Sequence, residues 1–153
     1  MGKYGATFTA FTTTTGLTTS MLLSSAANKK GELVEAVMTG SGSTAPADVQ
    51  HRATLNAKDG TSAGTTTAVT PEKQDQMSAA AGCTIGVAAS AEPTTYGVAW
   101  YLWGFNQRGG MRWAVPVGEG FKVDNQPTQK HAGMRVISSV AGAVDGSFLW
   151  WEP

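Results

Sequence analysis

The residues of this chain that could perform chemistry are few and widely separated. The sequence contains one cysteine, Cys83, and two histidines, His51 and His131. A zinc or iron site needs several such ligands, and the usual His-x-His or His-x-x-x-His spacing does not occur. A lone histidine on an alternating apolar stretch, as at His51, is usually a core residue with satisfied hydrogen bonds. The sequence therefore predicts no catalytic residue, no metal and no cofactor.

Carboxylates in this sequence are also poorly arranged for acid–base catalysis. Four of the eleven fall in predicted turns, where a carboxylate usually caps backbone amides: Asp48, Glu92, Asp124 and Asp145. Residues 40–48 combine glycines with hydroxyls, as phosphate-binding loops do, but the Gly-Lys-Ser/Thr ending is missing and no helical pattern follows. A metal-dependent enzyme of the cupin type would place two histidines beside a glutamate, and no histidine pair accompanies Glu119 in the sequence. Such an enzyme is kept as an alternative in which His51 and His131 hold the metal.

The overall composition favours a protein that assembles with other proteins. The 153 residues fit one domain, 14% are charged, and eleven basic residues balance eleven acidic ones. Nucleic acids and anionic membranes attract a basic excess, so we expect neither as a partner.

No apolar run is long enough to span a bilayer and the N-terminus lacks the apolar core of a signal peptide, so we expect synthesis in a cytoplasm. Cys83 has no disulfide partner and fits a buried strand.

Large aromatic side chains concentrate in one stretch, from Thr94 to Trp113. A strand here would carry Tyr96, Val98, Trp100 and Leu102 on one face and Ala99, Tyr101, Trp103 and Phe105 on the other. Because both faces are apolar, both need cover, one from the core of the domain and the other from a second layer or a partner. Gly109 and Gly110 can adopt positive φ, which predicts that the strand turns back as a hairpin at 106–110.

The rest of the chain has the short alternating segments and glycine-rich turns of an all-β protein. Strands are expected within 4–15, 21–23, 32–39, 49–57, 83–91, 94–113, 131–140 and 146–151, and with short additional segments they number about nine or ten. Loops are expected at 40–48, 58–70 and 124–130, at most one short helix, at 71–81, and a final hairpin closed by Asp145-Gly146. This pattern predicts a single-domain β-sandwich of the jelly-roll type.

The threonine-rich N-terminus, residues 1–20, is considered separately from the sandwich domain at 21–153. Its β-branched threonines favour extended backbone. One interpretation is an extended arm that lies across a neighbouring molecule, and the other is an edge strand of the same domain. On the first interpretation, removal of residues 1–15 weakens binding and leaves the fold intact.

Five segments of the sequence resemble a group of small virion proteins of tailed bacteriophages and prophages. They are TGSGSTAPADVQHR (39–52), SAEPTTY (90–96), GFNQRGGMRW (104–113), PVGEG (116–120) and FLWWE (148–152). The resemblance implies a jelly-roll cement or decoration protein, commonly a trimer, that sits on an icosahedral head and bridges neighbouring major capsid proteins. It implies no active site, and residues 1–20 have no counterpart in it.

We therefore expect a non-enzymatic virion structural protein on the capsid exterior, made in the host cytoplasm, whose partners are the major capsid protein and further copies of itself. Aromatic residues and arginine dominate interface energetics. The residues predicted to form the subunit or capsid interface are Phe8, Phe11, Tyr101, Trp103, Phe105, Arg108, Arg112 and Trp151. The alternative is a glycan-binding module of a phage tail or head fibre, because aromatic ring faces and the amides of Asn106 and Gln107 suit a sugar.

Overall fold

Antiparallel β-strands form nearly all of the regular structure of this chain. The computed structural model describes residues 2–26, 29–41, 49–59, 64–124 and 130–153. In chain order the strands are β1 (Gly2–Thr13), β2 (Thr18–Ser25), β3 (Lys30–Gly40), β4 (Gln50–Asp59), β5 (Thr65–Val69), β6 (Glu72–Lys73), β7 (Cys83–Ala91), β8 (Tyr96–Asn106), β9 (Gly110–Ala114), β10 (Phe121–Asp124), β11 (Lys130–Ser138) and β12 (Gly142–Glu152). The described residues contain no helix, and the predicted all-β class is confirmed.

The twelve strands form one sheet that curls into two facing halves. One half has the order β5-β7-β2-β11-β4-β8. The other has the order β6-β1-β12-β3, with β9 and β10 paired one after the other along the remaining edge of β3. The halves are joined where Asp124 of β10 pairs with Lys130 of β11. This arrangement is the predicted single-domain β-sandwich and is consistent with the jelly-roll type.

The inward side chains of the two halves meet in one apolar core. Met21, Leu55 and Met134 come from one half, Phe148 and Trp150 come from the other, and all five are almost completely buried. Burying a large apolar side chain contributes about 1.5–3 kcal/mol. The contact between the halves is therefore the main stabilising interaction of the fold.

A β-bulge changes the predicted alternation of β3. Strict alternation would place Val34 on the same face as Ala36 and Met38. The register with β12 shifts within this segment, because β3 contains one extra residue. Leu33 consequently shares the core face with Ala36 and Met38. A sequence pattern with period two cannot reveal such an insertion.

The N-terminal segment is a strand of the sheet of its own chain. β1 pairs with β12 along its length and with β6 near its start. Tyr4, Ala6 and Phe8 are buried in the core. A bulge at Ala10, whose φ is 52°, is held by a hydrogen bond from its amide to the Asp145 carboxylate. The structure therefore corresponds to the strand interpretation, and removal of residues 1–15 is not expected to leave the fold intact.

The predicted helix at 71–81 is wrong. Glu72 and Lys73 form the short strand β6 against β1. The chain then turns at Asp75, whose carboxylate accepts a hydrogen bond from the amide of Met77. The segment contains good helix formers but no apolar stripe, and a helix of this length needs such a stripe to be stable.

Both predicted hairpins are also wrong. β8 and β9 do not pair, because the chain crosses from one half of the sandwich to the other at 107–109, and the two glycines there do not have positive φ. β11 and β12 likewise lie in different halves, and Asp145 and Gly146 are inside β12. A Cβ atom at Gly146 would lie 2.6 Å from the ring of Phe8. The glycine at 146 is therefore explained by close packing and not by a turn.

The predicted loop at 58–70 is partly wrong, because strands occupy both of its ends. β4 continues to Asp59, and Thr65–Val69 forms β5, which pairs with β7. β-Branched threonine and valine favour this extended backbone. The predicted loops at 40–48 and 124–130 lie largely outside the described residues, as does Asp48.

Candidate interaction surface

The aromatic stretch of the sequence lies at an open edge of the sandwich. β8 pairs with β4 on one side, and no strand in the described parts of the chain pairs with its other side. Half of the backbone amides and carbonyls of an edge strand point away from its one neighbour. β8 therefore offers hydrogen-bonding groups along this edge in addition to its side chains.

The inward side of β8 packs on aromatic residues of the other half of the sandwich. Trp100, Tyr101, Trp103, Trp113 and Phe121 are named here the aromatic cluster. The rings of Trp100 and Phe121 are stacked with their centroids 3.8 Å apart, and those of Trp113 and Phe121 are stacked at 4.8 Å. Tyr101 stacks on Trp103 at 5.4 Å. Aromatic pairs contribute about 0.5–1.5 kcal/mol beyond the burial of area, so the aromatic cluster closes the sandwich on this side.

A β-bulge brings two consecutive aromatic residues to the same side of β8. The register with β4 shifts between Ala99 and Tyr101, so Trp100 is the extra residue. Trp100 and Tyr101 consequently both contact the ring of Phe121, with centroids 3.8 and 5.9 Å away. The prediction that these two residues lie on opposite faces is wrong.

Several apolar side chains of β8 remain exposed. Val98 is 87% exposed and Leu102 is 61% exposed, while Trp100 and Tyr101 remain 41% and 43% exposed despite their stacking. These four residues, which follow β8 but lie on both of its faces because Tyr101 and Leu102 are consecutive in regular register, are named here the apolar strip. Adjacent exposed apolar side chains mark an interaction surface, whereas scattered ones are common on any protein. The apolar strip is therefore the best candidate for a binding surface.

The two arginines predicted at the interface have different environments. Arg108 is exposed at the corner after β8 and forms no ion pair with any described residue. Arg112 donates two hydrogen bonds to the Glu35 carboxylate, at 2.9 and 3.2 Å. These hydrogen bonds lower the pKa of Glu35. Of the two arginines, Arg108 can meet a partner without first breaking an ion pair.

The other predicted interface residues differ widely in burial. Phe8 is buried against Phe11, and Phe105 is buried against the ring of His51. The partly buried members of the predicted set are Phe11, Trp103 and Trp151. The exposed members are Tyr101, Arg108 and Arg112. Sequence pattern alone did not separate aromatic residues that face the core from those that face solvent.

His51 is a buried core histidine with two hydrogen-bond partners, as predicted. Its Nδ1 lies 2.6 Å from Ser138 Oγ, and its Nε2 lies 2.6 Å from Gln107 Oε1. The Gln107 amide nitrogen donates to the carbonyls of Ser41 and Ala143. The side-chain oxygen of Gln107 is thereby oriented to accept a hydrogen bond from Nε2–H of His51, and Nδ1 of His51 accepts a hydrogen bond from the hydroxyl of Ser138. This network joins several strands at one end of the sandwich.

The other groups suited to chemistry are dispersed. His131 lies at the start of β11, whereas Ser138, the partner of His51, ends that strand. Burial raises the pKa of the Cys83 thiol, and the nearby Glu152 carboxylate raises it further. A high thiol pKa is typical of a structural cysteine. Within the described ranges, no three His, Cys, Asp or Glu side chains are grouped as metal ligands would be.

The connection from β7 to β8 crosses the outer face of one half of the sandwich, which the sequence did not predict. It passes over β2, β11 and β4, because β7 and β8 lie on opposite sides of these strands. Glu92 accepts hydrogen bonds from the amide and hydroxyl of Thr19, and the Tyr96 hydroxyl lies 2.8 Å from that same hydroxyl. Arg135 lies over the Tyr96 ring, and burial raises the pKa of Tyr96 to about 12. These contacts fix the start of β8 and position the apolar strip.

The loop after β9 is held by a buried carboxylate. Glu32 accepts hydrogen bonds from the amides of Gly118 and Gly120, at 2.7 and 2.6 Å, and from the ammonium group of Lys122. Burial alone would raise the pKa of Glu32, but these hydrogen bonds and the lysine charge outweigh burial and lower it. Glu119, the glutamate that a metal site of the cupin type would use, is exposed in the same loop.

Replacing Glu32 with glutamine should lower the free energy of unfolding at neutral pH by about 1.5–3 kcal/mol, the range for hydrogen bonds to a charged group. Because the pKa of Glu32 is lower in the folded state, its carboxylate stabilises the fold at neutral pH. This stabilisation is lost as the pH falls from the ordinary glutamate range through the lowered pKa. Urea unfolding at neutral and acidic pH should therefore show less acid sensitivity for Glu32→Gln than for the wild type. Glu119→Gln is the matched control, and equal acid sensitivity of wild type and Glu32→Gln would contradict the assignment.

A cavity of about 300 Å³ lies beside the apolar strip. Its apolar walls include the rings of Trp100 and Phe121, and its polar rim includes Asp59, Lys122 and Lys130. Small-molecule sites commonly combine an apolar lining with a few polar groups that orient the ligand. The cavity therefore combines ring faces with polar groups, as a site for a sugar would.

The fold and the apolar strip together define the class of this chain as an all-β sandwich with an open, apolar edge strand. No protein-family model matches the sequence, and comparison with curated proteins and with solved structures found no match. No helix long and apolar enough to cross a membrane occurs among the described residues.

Proposed function

We propose that this chain is a non-enzymatic virion structural protein that binds the outside of a bacteriophage head and joins neighbouring major capsid proteins. The observation that carries the proposal is the apolar strip, because Val98 and Leu102 are exposed on a strand whose backbone edge is open. An open apolar edge of this kind suits a protein partner. The sequence resemblance indicates that this partner is a capsid protein.

The architecture suits a protein that resists mechanical separation of its neighbours. The two halves share one core and are built from antiparallel strands, so the molecule can transmit force without large rearrangement. A shell strained by packaged DNA fails where neighbouring subunits separate. A standard interface buries about 1,600 Å², and repetition of that interface around a closed shell multiplies its effect through avidity.

The segments that carry the sequence resemblance also make contacts that fix this fold. Gln107, in the segment 104–113, bonds to His51, in the segment 39–52. Glu92 and Tyr96, in the segment 90–96, hold the connection that leads into β8. A protein that shares these segments therefore has the residues needed to build the same corner and the same edge, which supports the proposal.

Purified protein should bind to capsids from which their decoration proteins have been removed, and it should raise the temperature at which those capsids disrupt. The double variant Val98→Lys/Leu102→Lys should bind at least about tenfold more weakly, because it places charge in the centre of the apolar strip. The matched control is Val117→Lys/Val140→Lys, which changes two exposed valines outside β8. Failure of the folded wild-type protein to bind, or equal binding by both double variants, would contradict the proposal.

A glycan-binding module of a phage tail or head fibre is the second candidate function, and the cavity beside Trp100 favours it. Exposed tryptophan faces stack on sugar rings, and the charged rim of the cavity can bond hydroxyl groups. A sugar that binds there should shift the tryptophan fluorescence, and Trp100→Ala should abolish that shift. An array of phage-receptor glycans that gives no binding would exclude this candidate and leave the capsid proposal unaffected.

A further inference from the structure

The outer face of β8 carries a glycine that the packing of this chain does not explain. Gly104 does not have positive φ, and a Cβ atom there would meet, beyond its neighbours in the chain, nothing nearer than the carbonyl oxygen of His51, at 4.0 Å. At Gly146, by contrast, a Cβ atom would lie 2.6 Å from the ring of Phe8. Glycine inside a strand weakens it and often marks a place where another backbone approaches closely. The space above Gly104 is therefore open to a partner.

The end of β8 is flanked by two arginines that form no ion pair with a described residue. Arg52 lies directly opposite Gly104 in the neighbouring strand β4, on the same outer face. Arg108 follows the end of β8, and both arginines are exposed. Neither β8 nor the rest of the β4 stretch that pairs with Tyr101–Asn106 contains another charged residue. A partner that binds here is therefore favoured by carboxylates.

The backbone edge of the same stretch is free and regular. Tyr101–Asn106 pairs with β4 without a shift of register, whereas the bulge at Trp100 interrupts the part of β8 before it. Alternate residues of this stretch point their amides and carbonyls away from β4. It contains no charged residue, proline or bulge, the features that commonly protect edge strands. An added strand can therefore pair with Tyr101–Asn106 and leave Val98 and Trp100 for contacts between side chains.

We propose that an extended, acidic segment of the major capsid protein adds to the sandwich as a strand along Tyr101–Asn106. The pairing presupposes the proposed capsid function and specifies the chemistry of the partner. An apolar side chain of the segment packs on Leu102, and a carboxylate two residues away lies beside Gly104. Because Gly104 has no side chain, Arg52 can extend across it to that carboxylate, and a second carboxylate meets Arg108. Pairing of the backbones supplies the rest of the affinity.

Hydrogen exchange of the protein bound to capsids without decoration proteins tests the addition of a strand. About half of the amides of Tyr101–Asn106 point outward, so they should exchange rapidly in the free protein and be protected on capsids. The edge strand β5 is the internal control, and its exchange should not change. Capsid binding without added protection of Tyr101–Asn106 would overturn the addition of a strand and leave the proposed function standing.

The variant Gly104→Val tests whether the open space above Gly104 is used. Its fold should be at least as resistant to urea as that of the wild type, because valine favours strands and the space is empty. It should bind the same capsids at least about fivefold more weakly, since its side chain occupies the path from Arg52 to the partner. Undiminished binding by the folded variant would overturn the pairing of Arg52 across Gly104.

A reversal of charge tests the acidic character of the segment. Arg52→Glu/Arg108→Glu should bind the same capsids at least about tenfold more weakly, because it opposes carboxylates to carboxylates. Lys3→Glu/Lys73→Glu makes the same change of net charge at exposed lysines of the other half and is the matched control. Equal binding by the two double variants would overturn the acidic partner but not the proposed function. Wild-type protein that binds no capsids would contradict the proposed function and the addition of a strand together.

Discussion

A chain that lacks residues 2–13 should not fold at 25 °C. This deletion removes β1, which pairs with β12 along its length and contributes Tyr4, Ala6 and Phe8 to the core. Loss of one large aromatic side chain from a core costs about 3–5 kcal/mol, and two are lost here together with a whole ladder of backbone hydrogen bonds. The sum equals or exceeds the 5–15 kcal/mol by which most domains are stable. Far-UV circular dichroism and thermal unfolding measure the outcome.

A variant confined to the other face of β1 separates loss of the strand from loss of its exposed side chains. Lys3, Thr7 and Thr9 are exposed, so their joint replacement by alanine should change the free energy of unfolding by less than about 1.5 kcal/mol. Phe8→Ala alone should cost about 3–5 kcal/mol. A truncated protein that still unfolds cooperatively, close to the wild-type midpoint, would restore the interpretation of this segment as a separate arm.

The sequence was sufficient to predict the class of the fold and the position of most strands. Alternating apolar residues marked β3, β4 and β12, because one face of each is buried and the period of a strand is two. The same pattern could not give the pairing of these strands, since pairing depends on contacts between distant residues. Gly146 illustrates the difficulty: it follows aspartate as in a turn, but it is needed because the ring of Phe8 covers it.

The exposed part of β8 was only partly predictable from the sequence. The sequence places apolar residues on both faces of β8, and Val98 and Leu102 are exposed; that a partner covers them stays a prediction. The bulge at Trp100 was not predictable, because a bulge is an extra residue relative to a partner strand. The anchoring of β8 by Glu92 was not predictable either, because its partner Thr19 is distant in sequence.

The residue at the corner between the halves, Gln107, should be among the most sensitive polar positions of the chain. Its buried side chain forms hydrogen bonds to His51 and to two backbone carbonyls, and its backbone amide donates to the carbonyl of Val49. Gln107→Leu would leave the buried Nε2–H of His51 without its partner and would remove one donor from each of the two carbonyls, of which that of Ala143 keeps the amide of Ser41. An unsatisfied N–H costs about 1–3 kcal/mol and each lost hydrogen bond about 0.5–1.5 kcal/mol, so we expect a loss of at least about 2 kcal/mol, measured by urea unfolding. Arg108→Ala, at the exposed neighbouring residue, should change stability by less than about 0.5 kcal/mol.

A double-mutant cycle distinguishes loss of the hydrogen-bond network from simple loss of volume at this corner. Gln107→Leu and His51→Phe each remove one partner of the same hydrogen bond, so the second change should cost less once the first has been made. We expect the two losses to fall short of additivity by about 0.5–3 kcal/mol. Strict additivity would mean that His51 and Gln107 act independently. In that case the corner would be held by packing of the surrounding strands, and the tautomer assigned to His51 would have no energetic consequence.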